Sequence, residues 1–203
     1  MKRTLTTVLI TLAAVLVIAA GAGLLVIYTG AYNVAATEQH AGITRWALNT
    51  LQHNSVEARA GSVQGAPPTD SAALAHGFDH FHAMCIVCHG APGLDRGELG
   101  QGITPTPPRL EEEVREWSDA ELFWITKHGI RFAGMPAFGT THGDPEIWAI
   151  VAFLRRLDGM TEEEYAALVR ARTAAAEEGG DGADGADGAA GHAHAPGTPP
   201  HSH

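Results

Sequence analysis

Apolar residues run almost unbroken from Leu5 to Tyr28, and Lys2 and Arg3 sit just ahead of them. At a rise of about 1.5 Å per residue a helix over this run reaches roughly 36 Å. The hydrocarbon core of a bilayer is about 30 Å thick, so a tilted membrane-spanning helix is predicted. The next basic residue is Arg45. Positive charge favours the cytoplasmic side, which leaves the N-terminus inside and everything after Gly30 outside. Residues 1–30 therefore read as an anchor. The rival reading is a cleaved signal peptide, since Ala20-Gly21-Ala22 fits a small-x-small cleavage site. Either reading exports the rest of the chain.

The pattern then changes period. Ile43, Trp46, Ala47 and Leu51 recur at helical spacing, which predicts an amphipathic helix from about Glu38 to Ala60. It would lie on the membrane surface or against the globular part. Glycine and proline in "GSVQGAPPTD" break it, so residues 31–68 form a juxtamembrane helix and linker. Residues 69–168 form the globular domain, with three predicted helices. The first covers about Ser71 to Met84 and carries Phe78 and Phe81. The second opens at Ser118, where Ser118 and Glu121 form a capping box, and stops near His128 before Gly129. The third opens at Asp144-Pro145 and carries Ile147, Trp148, Val151, Phe153 and Leu154. No strand-like alternation appears, so the fold class is all-α. Residues 169–203 form an acidic, His-containing tail ending "EEGGDGADGADGAAGHAHAPGTPPHSH", which lacks apolar periodicity and is predicted to be disordered.

Charge narrows the partners. The chain of 203 residues has a formal net charge of −10. A large basic patch is absent, which excludes nucleic acid as an expected partner. The exported body stays acidic even without the tail carboxylates Glu177, Glu178, Asp181, Asp184 and Asp187. Protein partners are therefore expected to present basic docking faces, with an attraction that weakens with salt.

The candidate chemistry lies in "CIVCHG", residues 85–90, which holds both cysteines of the chain, Cys85 and Cys88, followed by His89. A dithiol couple, a zinc site and a covalently attached haem all use such a pair. A redox dithiol needs no histidine there and normally opens a helix in a βαβ unit. Zinc needs four ligands, so His76 and His80 would have to complete the site. Haem attachment matches the spacing: two thiols one helical turn apart each add to a vinyl group of one porphyrin, and the adjacent imidazole reaches the iron. With one such motif, one haem c is expected, and a small loop-rich domain gains from so large an apolar cofactor. His76, His80 and His82 are then read as solvent-facing or packing residues, and His40 and His53 as surface residues. Downstream candidates for a sixth iron ligand are His128, Met135, His142 and Met160. Met135, in "AGMPAFG", is preferred, because a thioether is a soft ligand and Pro136 holds the preceding backbone extended. Met160 is read as a packing residue.

The segment from about Thr69 to Leu157 resembles the class I c-type cytochromes. Gly77, Phe81, "CIVCHG", "TPPRL", "GMPAF" and "IWAIVAFLRRL" stand in that family's order. The resemblance covers a little under half of the chain. It implies a small fold of three to four helices around a covalently bound haem. It implies that the first and last helices cross with a glycine and aromatics at the contact, matched by Gly77, Phe81 and Trp148. It also implies that the proline-rich loop, through Pro107 or Pro108, supplies a backbone carbonyl to the ring of the proximal His89.

The expected function is electron transfer by a membrane-anchored periplasmic protein with His89 and Met135 as axial ligands. No catalytic acid, base or nucleophile is evident, so an enzyme is not expected. The expected location is a bacterial inner membrane, crossed once, with the haem domain in the periplasm. One alternative is a redox subunit of a larger respiratory oxidoreductase complex. Another is a haem or metal sensor or a copper-handling protein, motivated by His192, His194, His201 and His203 in the tail.

Overall fold

The computed structural model describes residues 2–180. The described residues form helices and turns, with isolated β-bridges but no strand. In chain order the α-helices are α1 (Lys2–Thr29), α2 (Gly42–Ala60), α3 (Ser71–His80), α4 (Ile86–His89), α5 (Glu98–Gln101), α6 (Leu110–Glu113), α7 (Asp119–His128), α8 (Asp144–Leu157) and α9 (Glu162–Gly180). Residues up to Met160 form one compact unit and those from Thr161 another. The described residues are all-α, with an apolar N-terminal helix. α1 is long and apolar enough to cross a membrane, and it buries no residue.

α8 is the centre of the first unit. Pro145 sits in its first turn, and the Gly143 N–H donates to the Glu146 carboxylate at 2.7 Å, which satisfies one of the open amides at the helix start. Nine of its residues are buried, from Ile147 to Leu157, because neighbours cover it on several sides. α3 crosses it at Gly77, where an added Cβ would collide with the Ala149 carbonyl. Only a glycine lets the two backbones approach this closely. Phe78 and Phe81, on α3 and just past its end, meet Phe153 at ring-centroid distances of 5.3 and 5.2 Å. The α8 aromatic seen in this contact is thus Phe153. Trp148, which the family resemblance places there, stacks on Phe123 of α7 at 4.4 Å. A side chain as large as Phe81, fully buried, contributes about 1.5–3 kcal/mol.

α7 begins with the Ser118–Glu121 capping box and stops at Gly129, whose φ of +65° suits the residue after a helix. Arg155 of α8 ties the approach to α7 in place. It donates to Asp119 at 2.5 Å and to the Val114 and Trp117 carbonyls at 2.5 and 2.6 Å.

Three expectations need correcting. The helix expected from Glu38 starts at Gly42. Ile43, Trp46 and Leu51 are exposed, while Val56 and Ala60 are buried. α2 packs against α7, and Val56 and Ala60 are the residues it buries. The helix expected to end at Met84 ends as an α-helix at His80, then runs through a π-helical turn, Phe81–Cys85, into α4. Disorder expected from residue 169 does not hold over 169–180, which belong to α9. At the start of α9 the Thr161 N–H donates to the Glu164 carboxylate at 2.8 Å and the Glu164 N–H to the Thr161 hydroxyl at 3.2 Å, and alanines favour the helix. The tail from residue 181, with its histidines, lies outside the described residues.

Candidate functional site

The cysteines leave α3 through the π turn. A π turn takes in an extra residue, so it rotates α4 relative to α3. α4 carries Cys88 and His89 and is stopped by Gly90. Gly90 has φ +71°, and a Cβ there would meet the Leu94 carbonyl at 2.6 Å and Arg109 Nη1 at 2.7 Å. The chain from 91 to 110 wraps behind α4. Gly100 rests on the Cys88 backbone with no room for a Cβ. Arg109 donates to the Ala91 carbonyl at 2.7 Å and the Leu94 carbonyl at 2.9 Å, and pairs with Glu111 at 2.6 Å. Arg96 Nε donates to the Pro107 carbonyl at 2.8 Å.

This loop delivers the Pro108 carbonyl to His89, whose Nδ1 lies 2.8 Å from it. A carbonyl only accepts, so the proton is assigned to Nδ1 and the lone pair to Nε2. Burial pushes His89 below the usual histidine range, and the Pro108 bond opposes that shift. A lowered pKa favours the neutral imidazole, the form that ligates a metal, and the Pro108 bond orients it. Burial also pushes the Cys85 thiol up to about 12, with Cys88 adding to the effect. So protonated a thiol is a poor partner for thiol–disulfide exchange.

Met135 comes from a tight turn between α7 and α8. Ile130 N–H donates to the Met135 carbonyl at 3.2 Å, and Ala133 N–H to the Ile130 carbonyl at 3.3 Å. Gly129, Phe132 and Gly134 all have positive φ, so the chain reverses within a few residues. A Cβ on Gly129 would sit 2.5 Å from the Met135 carbonyl, so the glycine is needed for the turn to close.

Cys85, Cys88, His89 and Met135 line one cavity of about 340 Å³, as do Pro107 and Pro108. Its walls are mainly apolar and include Leu122, Ile125, Ile150 and Leu154. His128, His142 and Met160 are not among its lining residues. An apolar slot bounded by two thiols, an imidazole nitrogen and a thioether fits a covalently held haem. The residues that would hold it are Cys85 and Cys88 by thioether bonds and His89 and Met135 at the iron.

Two outcomes depart from the expectations. Among the described residues, the group of His, Cys, Asp and Glu close enough to share an ion is His76, His80 and Glu146, without either cysteine. The zinc reading of the Cys pair therefore loses its remaining ligands. The second is a contribution from α2, whose Asn49, Gln52 and His53 also line the cavity. The His53 ring stacks on Trp117 at 4.5 Å with planes 12° apart. His53 is solvent-exposed, as expected, but it closes one side of the site. The sequence carried a faint signal: these three polar residues stand at i, i+3 and i+4, on one helix stripe.

Comparison with known proteins adds one finding. Residues 72–154 match the family model of cytochrome C oxidase, cbb3-type, subunit III. The match starts inside α3, ends inside α8, and so contains Cys85, Cys88, His89 and Met135, but α1, α2 and α9 fall outside it. No curated protein matches the chain. A crossed α3–α8 pair, a Cys-x-x-Cys-His run on an apolar cavity and this match agree: residues 72–154 are a class I c-type cytochrome domain.

Proposed function

We propose that this protein is a membrane-anchored periplasmic electron carrier with one haem c, ligated by His89 and Met135. The observation that carries the reading is the common cavity of Cys85, Cys88, His89 and Met135, with His89 Nε2 left free by the Pro108 bond. The haem would supply one-electron chemistry between ferrous and ferric iron. The chain's own residues do the rest. Pro108 fixes the imidazole, the turn at Gly129 offers the thioether, and the apolar walls keep the local dielectric low. Met with His raises a reduction potential, because the soft sulfur favours ferrous iron.

α1 would cross a bacterial inner membrane once. The exposed Ile43, Trp46 and Leu51 of α2 would then rest on the bilayer surface close by. The acidic body favours donor and acceptor proteins with basic docking faces.

The deciding experiment is a redox titration of the purified full-length protein with and without carbon monoxide. A carrier gives a one-electron transition and a ferrous spectrum that carbon monoxide leaves unchanged. A spectrum that shifts on adding the gas means an open iron and sinks the carrier reading. The matched family favours a second reading, a redox subunit of a respiratory oxidase complex. Co-purification of stoichiometric partner subunits from native membranes would support it, and recovery of the chain alone would count against it.

A further inference from the structure

A second cluster of ligand-bearing side chains lies away from the haem cavity. His76 and His80 stand one turn apart on α3, with their Nε2 atoms 3.3 Å apart. Glu146 in the first turn of α8 joins them. One ligand atom from each of the three lies within 4.8 Å of the others, a spacing that a single ion can bridge. None of the three lines the haem cavity.

The helix crossing assembles this set. Gly77 lets α3 touch α8 at Ala149, and Glu146 lies about one helical turn before that contact. The helix neighbours of Gly77 therefore meet the start of α8. The i, i+4 spacing puts both imidazoles on one face of α3. Two Nε2–H groups cannot face each other at this distance, so at least one nitrogen presents a lone pair, and an ion between them would take the lone pairs of both.

We propose that His76, His80 and Glu146 bind a divalent transition-metal ion, with zinc or copper the best match to two imidazoles and a carboxylate. Imidazole suits these ions, and magnesium prefers all-oxygen sites that keep its water. His142 stands beside the set, its ring edge-on to His80 at a centroid distance of 4.9 Å. His76 is exposed and His80 and Glu146 are half-buried, so an ion can reach the site from solvent and keep water on its remaining positions.

The test is a calorimetric zinc titration of the full-length haem-loaded protein. The tail histidines His192, His194, His201 and His203 are replaced by alanine in every sample, so that the tail cannot supply the signal. The expected result is one zinc ion per chain. His80→Ala, His76→Gln and Glu146→Gln should each weaken binding about tenfold or more. His82→Gln, two residues further along the chain, should not. An unchanged haem spectrum in each variant reports that the domain is folded. His76 is exposed, so His76→Gln keeps the test decisive if His80→Ala unfolds. Absence of saturable binding overturns the proposal. So does equal affinity in His76→Gln and the parent, equal loss in His82→Gln, or magnesium binding as tightly as zinc.

Discussion

His89 donates its Nδ1–H to the carbonyl of Pro108 across 2.8 Å, a residue 19 positions further along the chain. This bond decides which imidazole nitrogen faces the cavity. It depends on the loop between them keeping its shape.

Arg109 is the main brace of that loop, since it holds the Ala91 and Leu94 carbonyls at once. Arg109→Ala is expected to cost about 2 kcal/mol, the scale of charge-assisted hydrogen bonds. Arg109→Lys should recover little, because an ammonium lacks the planar fork that spans both carbonyls. Denaturant unfolding of the three proteins measures this. A lysine variant as stable as the parent would show that charge alone suffices.

Met135→Ala is expected to abolish the weak long-wavelength absorption of an iron–thioether bond in the oxidised protein. It should also open the iron to carbon monoxide or cyanide and lower the reduction potential. Met135→His should keep six ligands and still lower the potential. Haem should stay attached in both, through Cys85 and Cys88. An unchanged spectrum in Met135→Ala would redirect the assignment to His128 or His142.

Gly77→Ala is expected to destabilise the domain by about 3 kcal/mol, because its Cβ meets a backbone carbonyl that cannot turn aside. Gly61→Ala is the matched control. A Cβ there meets nothing within 4 Å, and the change should stay within about 0.5 kcal/mol. Urea midpoints compare the two, and equal midpoints would mean that the helix crossing tolerates a wider separation.

His53→Ala removes the ring that stacks on Trp117 at the cavity wall. Water should then reach the haem edge more easily. A higher local dielectric favours the more charged ferric state, so the potential should fall, by less than in Met135→Ala. A potential identical to the parent's would place α2 outside the site's energetics.

α1 should hold the protein in the membrane fraction through high-salt washing, since burial of an apolar helix does not depend on ionic strength. Recovery from the soluble periplasm with a new N-terminus near Gly23 would instead identify a cleaved signal.

Local chemistry was legible in the chain itself. Cys85, Cys88 and His89 act as neighbours along one helical stretch, so their spacing alone points to haem attachment. The Ser118–Glu121 capping box and the start of α8 at Asp144 are equally local, because a few adjacent residues satisfy the first amides of a helix. The match to a class I cytochrome domain rests on the same stretch of chain. The partner choices were not legible. The periodicity of α2 marks Ile43, Trp46 and Leu51 as apolar, yet a hydrophobic pattern does not name the surface it meets, and the residues buried are Val56 and Ala60. The choice between Pro107 and Pro108 turned on which carbonyl the wrapped loop aims at His89. Only the crossing of α3 and α8 brings Glu146 to His76 and His80, which are 70 and 66 residues away along the chain. Backbone bonds set what lies within a turn or two of a residue; long-range packing sets what it touches.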